Sequence, residues 1–405
     1  MCYRLDSPAQ QRLHEYFERL GDLLYNKNQR AWFALYVLGL LGESPGKSIE
    51  PMAAQLCPDS QNVDACHQRL QHFLVDSPWS DRQLRRAAVR YALDTMTCRG
   101  PVAAWIVDDT GFLKQGTHSV GVQRQYTGSA GQGANCQIGV SLSVSTRTAH
   151  LPIDFELYLP QSWTDDPDQR KEARIPDSVG FHTKPHLALL MMRRALADGV
   201  SAAPVLADTA FGNNLDFRTQ LPGMRLDYGV GIQGPTRVSV IGKRGQRSEP
   251  LSAMQRALNL GPRAFRTITW RQGTKEPLRS RFALRRVIVP DDPLQEPVWL
   301  VMQGPEGQAG PSHLYLCTLP ARTNKKALVR LLKERYRTEQ LYEELKGELG
   351  LDPYEGRRYP GWCHHVSAVI SCYAFVVAER ERPFPPWAAR GAPRTTPHPA
   401  QLLSA

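Results

Sequence analysis

The sequence predicts an α/β protein, and three features of its pattern support this fold class. Residues 9–95 repeat apolar positions at helical spacing, as in Leu13, Tyr16, Phe17 and Leu20. From residue 102 to residue 159 the pattern changes to apolar runs and period-two alternation, which are typical of strands. A helical pattern at 184–197, a short apolar run, more strand patterns and two late helices follow.

Composition and charge limit the classes of protein to which the chain can belong. Hydrophobic residues make up 41% and charged residues 22% of 405 residues, which indicates a globular protein of more than one domain. The net charge of +11 predicts a polyanionic partner, nucleic acid first and an anionic membrane second. A basic protein without such a partner is the remaining alternative.

Other classes are excluded by what the chain lacks. Its longest apolar run, residues 31–41, has eleven residues, whereas a membrane-spanning helix needs about 20. The N-terminus does not have the basic-then-apolar layout of a signal peptide. The eight cysteines are dispersed and form no Cys-x2-Cys pair, so we expect neither a disulfide framework nor a zinc ribbon, and a cytoplasmic location.

The first hundred residues are predicted to form a string of short helices. Ser80 or Asp81 is a candidate cap for a helix that runs from Arg82 to about Met96. Two interpretations stay equal at this point. The helices form either a DNA-binding module or a helical scaffold.

Two apolar runs that end in aspartates are the first candidate catalytic elements. Residues 102–107 form an apolar run that is preceded by Gly100-Pro101 and followed by Gly111. The run predicts a buried strand that ends at Asp108 and Asp109. Residues 204–207 form a second such run, which ends at Asp208. Strand ends would present these carboxylates at a sheet edge. Acids after strands are also common as caps, so the pattern alone does not decide their role.

The basic charge is concentrated in one β-rich segment. Residues 225–286 hold 14 Lys and Arg but only three acids, a net charge of +11 that equals that of the whole chain. A one-sided concentration of this kind favours a phosphate-binding surface over an ordinary solvated face. The arginines that we single out are Arg279, Arg281, Arg285 and Arg286.

A predicted helix from about residue 324 to residue 350 contains the third candidate acid. Arg335, Glu339, Tyr342 and Lys346 share one face of this helix. An exposed helix with i,i+4 ion pairs is the simpler interpretation. It explains less well why basic residues flank a single acid on both sides, as a metal ligand beside DNA phosphates requires.

These blocks together resemble bacterial insertion-sequence transposases of the DDE group, which have an RNase H-like catalytic core. Residues 108–112 with 116–126 resemble the first catalytic block, and residues 206–213 resemble the second. The helix resembles the signature Tyr-x2-Arg-x3-Glu-x6-Lys, with Arg335, Glu339 and Lys346 in register. The tyrosine position is Leu332 here, so the contact made there in relatives is either absent or supplied by Tyr336 or Tyr342.

The resemblance implies a fold and a division into domains. The family core is a mixed sheet of five strands flanked by helices, and a β-rich insertion fills the long interval before the glutamate. In this chain 130 residues separate Asp208 from Glu339. We therefore expect a helical N-terminal domain (1–100), the first part of the core (101–222), a basic insertion domain (223–322), the C-terminal core helices (323–382) and a proline-rich tail (383–405).

The resemblance also implies an activity, a cofactor and partners. Asp109, Asp208 and Glu339 would hold two Mg²⁺ ions, for which Mn²⁺ can substitute, to cleave transposon ends and transfer them into target DNA. Asp108 competes with Asp109 for the first position, because adjacent strand residues face opposite sides. We expect Asp109, because relatives place the catalytic residue directly before Thr or Ser. The expected partner is double-stranded DNA, both the terminal inverted repeats of the transposon and the target DNA. We expect the chain to act as a homodimer in the DNA complex and not to bind a membrane.

Alternatives to this interpretation remain at the level of the sequence. The rivals are an RNase H-like nuclease without strand transfer and a catalytically inactive DNA-binding descendant. His118 lies in the glycine-rich loop after the first aspartates, where it contacts DNA, acts as a proton shuttle or stabilises a turn. Cys363, His364, His365 and Cys372 do not have zinc-finger spacing, so burial beside the final helix is the expected environment.

Overall fold

The computed structural model describes residues 6–43, 46–57, 62–242, 244–273, 276–304 and 310–382. Its first part consists of five helices, each separated by a short connection. The helices are α1 (Ser7–Gly21), α2 (Lys27–Leu41), α3 (Ile49–Leu56), α4 (Val63–Val75) and α5 (Asp81–Thr97). The predicted cap of α5 is confirmed, since the Ser80 hydroxyl accepts from the Gln83 N–H at 3.3 Å.

The middle of the chain forms the first six strands. They are β1 (Ala104–Leu113), β2 (Gln123–Thr127), β3 (Gln132–Ser145), β4 (His150–Tyr158), β5 (Val205–Ala207) and β6 (Tyr228–Ile232). Between β4 and β5 lie α6 (Gln161–Thr164), α7 (Pro167–Ala173) and α8 (Lys184–Ala197), and between β5 and β6 lie α9 (Thr209–Gly212) and α10 (Leu215–Gly223). The sequence pattern did not predict β2, because its residues alternate weakly and lie between glycines.

The remaining strands come from the basic segment and precede the last helices. They are β7 (Arg237–Val240), β8 (Leu251–Ser252), β9 (Arg266–Gln272), β10 (Pro277–Ile288), β11 (Val298–Gly304) and β12 (His313–Cys317), with α11 (Ala253–Asn259) and a 3₁₀ turn (Pro262–Ala264) between β8 and β9. The late helices are α12 (Lys325–Lys333), α13 (Arg337–Glu343) and α14 (Tyr359–Glu381). The predicted proline-rich tail lies outside the described residues.

The sheet is mixed and flanked by helices, which confirms the predicted fold class. Its central order is β4-β3-β1-β5-β6, in which β3 is antiparallel to both neighbours and β1, β5 and β6 are mutually parallel. The basic strands continue the same sheet, because β12 pairs with β6 and is followed by β11, β10, β7 and β8. Pairing with β12 satisfies the edge of β6, which would otherwise present unpaired backbone groups.

Both faces of the central sheet are buried, so β1 reads as a continuous apolar run. Trp105 and Val107 belong to a large core that extends from the N-terminal helices to α14. Ile106 and Ala104 point to the other face and pack in a smaller core with Leu332 of α12. Leu332 at the signature's tyrosine position is thus a core residue that is 5% exposed.

The helix α14 is the central helix of the large core. Among the described residues, it is the helix that is long and apolar enough to cross a membrane by length and composition. Its apolar window is 94% buried inside the protein, as in the core helix of a globular fold. It packs against α5, α2, α4 and β4, so the N-terminal helices and the sheet share one core. The division into domains made from the sequence stays a prediction.

Candidate active site

The two aspartates at the end of β1 point to opposite faces of the sheet. Asp108 shares the face of Ile106, and its Oδ2 accepts from Nη1 of Arg335 at 2.7 Å. The neighbouring Asp109 is oriented towards α8, where its Oδ2 accepts from Nζ of Lys184 at 2.9 Å. The structure therefore brings Asp108, rather than Asp109, to the side of the sheet on which Arg335 lies.

Asp208 ends the strand next to β1. Ile106 and Leu206 are register partners in the parallel pair of β1 and β5, so Asp108 and Asp208 leave the sheet at the same edge. Asp208 caps α9, because its Oδ1 accepts from the N–H groups of Ala210 at 2.9 Å and Phe211 at 3.3 Å. These hydrogen bonds fix the direction of the carboxylate.

The charge of Asp208 affects the ionisation of Asp108. The pKa of Asp108 is raised to about 7, mainly by burial; Arg335 lowers it, and the charge of Asp208 contributes to the rise. Asp108 is thus a carboxyl group that is hard to ionise unless a positive charge compensates it. Arg335 supplies that charge in this structure, and a divalent cation is the other species that can do so.

Glu339 lies on α13, one turn after Arg335. Its Oε1 is 3.9 Å from Nη2 of Arg335, and its side chain is 70% exposed, against 14% for Asp108. Burial lowers the pKa of Arg335, but the charges of Asp108, Asp208 and Glu339 outweigh this and hold it above the usual value. The guanidinium therefore lies among all three carboxylates. Within the described ranges, no three His, Cys, Asp or Glu side chains are grouped closely enough to hold a metal ion.

The other predicted residues of this helix are oriented to the same edge of the sheet. Lys346 donates to the carbonyl oxygen of Gly111 at 2.6 Å and lies 3.2 Å from Asp352. The Tyr342 hydroxyl is 2.7 Å from Oγ of Ser141, which is the register partner of Asp108. Arg335, Tyr342 and Lys346 are thus turned towards β1. Glu339, on the same predicted face, is largely exposed.

The helix that was predicted at 324–350 changes type along its length. A 3₁₀ turn (Glu334–Tyr336) precedes α13, and a π turn (Glu344–Glu348) follows it. Such changes of helix type are frequent at functional sites, because they rotate the side chains that follow. The prediction of one regular helix from 324 to 350 was wrong in this respect, because helical spacing does not reveal the helix type.

The four arginines predicted to bind DNA lie on β10. Arg279 is exposed, whereas the other three are partly buried. Alternation along the strand places Arg285 and Arg286 on opposite faces. Arg286 donates to the carbonyl oxygen of Pro297 and lies over the Trp299 ring, with 5.2 Å between its Cζ and the ring centroid. The role of all four in DNA binding stays a prediction.

The weaker candidates have ordinary environments. His118 is exposed in the loop before β2. His364 is buried between the carbonyl oxygens of Leu74 at 2.6 Å and Trp79 at 2.9 Å, and its ring stacks on that of Trp79. The expected burial of this segment is confirmed.

Several residues near the site carried no sequence signal. Lys184 contacts Asp109 across 75 positions of the chain, and Ser141 contacts Tyr342 across 201 positions. His150 lies between Ser143 and the backbone of Arg337, and its contact with Arg337 spans 187 positions of the chain. Only the folded arrangement of β1, β3, β4 and α13 brings these side chains together.

With this geometry established, comparison with known proteins identifies the class. Residues 15–277 match the DDE superfamily endonuclease family, and the chain therefore belongs to that family. The match includes Asp108 and Asp208 and ends before Glu339.

The chain is also similar to a particular curated protein, the probable transposase for insertion sequence element IS701 of Microchaete diplosiphon. The two are 25% identical over 236 residues, which cover 58% of this chain and 57% of that protein. The chain thus spans little more than half the length of this relative.

Proposed function

We propose that this chain is a DNA transposase that cleaves DNA at transposon ends and joins the ends to target DNA. The observation that carries the proposal is the position of the Arg335 guanidinium among the carboxylates of Asp108, Asp208 and Glu339. Membership in a family of endonucleases and similarity to a probable transposase support it. The net charge of +11 supports a polyanionic substrate.

The donor chemistry of the three acids fits divalent metal ions. Mg²⁺ and Mn²⁺ prefer hard carboxylate oxygens, and burial, which raises the pKa of Asp108, makes a cation beside this carboxylate favourable. Asp108, Asp208 and Glu339 would hold two such ions, and the exposed Glu339 carboxylate must turn inward to join the others. When bound, the ions would activate the attacking oxygen and stabilise the leaving oxygen of a phosphodiester.

The basic residues of the site have a complementary role. Arg335 exchanges its carboxylate partner for the scissile phosphate, which its planar guanidinium can bind through two parallel N–H donors. Lys346, at Gly111 on the same edge, adds positive charge beside the DNA backbone. A water oxygen first attacks the scissile phosphorus and forms a P–O bond as the bond to the 3′ oxygen breaks, which leaves a 3′-hydroxyl and a 5′-phosphate. That hydroxyl then attacks a target phosphorus in line, so one P–O bond forms as another breaks.

The first ligand is proposed to be Asp108. The preference for Asp109 made from the sequence rests on the adjacent threonine, whereas the position of Asp108 next to Arg335 supports Asp108. We expect Asp108→Asn to abolish cleavage and strand transfer. Asp109→Asn loses a partly exposed ion pair with Lys184 and should keep activity within about tenfold of the wild type.

The decisive measurement is a strand-transfer assay with both variants and Mg²⁺ or Mn²⁺. Loss of activity in the Asp109 variant alone would show that the geometric choice between the two aspartates is mistaken. The same gel separates the rival functions. A nuclease without strand transfer yields nicked ends but no joined products, and an inactive descendant binds DNA without either product.

The partners follow from the proposed reaction. Terminal inverted repeats and target DNA are the two substrates, and two copies of the chain would act on the paired ends. A gel-shift series with inverted-repeat DNA, followed by sizing of the complex, tests both statements. A complex that contains one protein copy would contradict the proposed dimer.

A further inference from the structure

The interface between α13 and the sheet is joined by directional hydrogen bonds beside the proposed catalytic residues. His150, the first residue of β4, is 8% exposed and lies between the helix and β3. Its Nδ1 is 3.0 Å from the carbonyl oxygen of Arg337, and its Nε2 is 2.7 Å from Oγ of Ser143. One imidazole ring thus spans the gap between the first residue of α13 and the central sheet.

The protons of this bridge can be assigned from its partners. A carbonyl oxygen cannot donate, so Nδ1–H must donate to Arg337, and Nε2 of a neutral ring then accepts from the Ser143 hydroxyl. The one proton of that hydroxyl goes to this shorter contact of 2.7 Å and not to the Ile106 carbonyl oxygen, which is 3.3 Å away. Burial lowers the pKa of His150 to about 3, which keeps the ring neutral at pH 7. Both hydrogen bonds therefore coexist in a single tautomer.

Each end of the bridge is two residues from a proposed functional side chain. Arg337 lies midway between Arg335 and Glu339 in sequence. Ser143 is the register partner of Ile106, two residues before Asp108 on β1. A shift at either end of the bridge therefore changes the separation between the carboxylates of Asp108 and Glu339.

The position of the helix also depends on its contacts with the sheet. The seven residues of α13 are bounded by a 3₁₀ turn and a π turn, which change the rotation of its side chains from that of one regular helix. Thr338, on the same helix, is fully buried, yet its hydroxyl has no partner among the described residues. Apolar contacts such as that of Leu341 hold the helix against the core without specifying direction, so direction comes from hydrogen bonds such as those of His150 and Tyr342.

We propose that His150 is a positioning residue of the reaction: with Ser143, it sets the location of α13 so that the Glu339 carboxylate can meet Asp108 and Asp208 around a divalent cation. This inference rests on the proposed function. His150 is buried, and its hydrogen bonds go to Arg337 and Ser143 and not to the three proposed metal ligands. Its effect is exerted through the backbone of Arg337, in the manner of an outer-shell group that orients a metal ligand.

The experiment titrates Mn²⁺ into the full-length chain and follows two signals, the midpoint of thermal unfolding and the cleavage of inverted-repeat DNA. The variants are His150→Ala, His150→Gln and Ser143→Ala. The matched control is His365→Ala, because His365 is also a buried histidine with two partners, the Tyr36 hydroxyl at 2.7 Å and the Leu351 carbonyl at 3.4 Å.

We expect His150→Ala to raise the half-saturating Mn²⁺ concentration by about 10- to 100-fold in both signals. His150→Gln should recover part of the loss, because its amide both donates and accepts, and Ser143→Ala should give a smaller shift than His150→Ala. Affinity for DNA in EDTA should stay within about twofold of the wild type, since no phosphate contact is removed. His365→Ala should lower thermal stability and leave the Mn²⁺ dependence unchanged.

A His150→Ala protein with wild-type Mn²⁺ dependence overturns the inference, as does an equal shift in His365→Ala. If His150→Ala does not fold, His150→Gln and Ser143→Ala decide by the same criterion. A wild-type chain that responds to Mn²⁺ but does not join DNA refutes the transposase proposal alone, since the thermal signal still reports positioning. A wild-type chain without any Mn²⁺ response overturns the inference together with the metal site.

Discussion

A buried arginine of α5 provides the sharpest test of how the N-terminal helices relate to the sheet. The Arg85 side chain is 5% exposed, and its Nη2 lies 2.9 Å from Oδ1 of Asp154 on β4. Its Nη1 donates to the hydroxyl of Ser367 on α14 at 2.9 Å. Burial raises the pKa of Asp154, but Arg85 and Arg194 outweigh it and hold the pKa below the usual value. Three elements are therefore joined through one guanidinium.

The perturbation is Arg85→Met, which keeps most of the side-chain volume and removes the charge. Removal of one partner from a buried ion pair costs about 3–5 kcal/mol. Asp154 loses the buried one of its two arginine partners and keeps the more exposed Arg194. Unfolding of a chain of this size has an entropy of about 0.8 kcal/mol per kelvin, from about 2.1 cal/mol/K per residue. The midpoint of thermal unfolding should therefore fall by about 4–6 °C.

The matched control is Arg86→Met on the same helix. Arg86 pairs with Asp198 at 2.9 Å, but its side chain is 62% exposed, so its loss should lower the midpoint by about 1 °C or less. Scanning calorimetry should show one transition in each protein, because the N-terminal helices share the core of the sheet. Midpoints of the two variants within about 1 °C of each other, or a separate transition of the helices, would refute this reasoning.

Three further predictions concern pH, salt and the third acid. Burial lowers the pKa of His150 to about 3 and that of His365 to about 4, so the unfolded chain binds more protons below pH 6.5. As the pH falls from 6 to 4, each histidine should reduce the free energy of unfolding by about 1.4 kcal/mol per pH unit. Urea titrations of His150→Gln and His365→Gln should show a smaller dependence of this free energy on pH. Neutralising the β10 arginines should weaken binding to all DNA sequences alike. It should also reduce the slope of log affinity against log salt concentration by about 0.9 per lost phosphate contact. An unchanged slope, measured by fluorescence anisotropy, would show that these arginines do not bind phosphates. The arginines are Arg279, Arg281, Arg285 and Arg286. Glu339→Gln should bind DNA as tightly as the wild type or more tightly and cut none in Mg²⁺, and residual cleavage would remove Glu339 from the site.

Much of the fold could be predicted because periodicity is a local property. The helix α8 was expected at 184–197 and is observed from Lys184 to Ala197. Apolar runs that end in Asp108 and Asp208 predicted two strands, since buried strands leave apolar runs. The structure shows that these strands are parallel neighbours. The charged spacing around Glu339 identified the helix that faces these strands.

The tertiary structure decided what depends on contacts between distant residues. Sequence alone could not choose between Asp108 and Asp109, because adjacent strand residues differ only in the face of the sheet to which they point. The structure shows that Arg335 lies on the face of Asp108 and Lys184 of α8 on the face of Asp109. The contact of His150 with Arg337 joins residues 187 positions apart, and helical periodicity does not reveal the 3₁₀ and π turns around α13. The local pattern of the sequence determined which helices and strands form, and at which acidic residues the two catalytic strands end. Packing determined which side chains share a face, because that depends on how the elements are arranged around the common core.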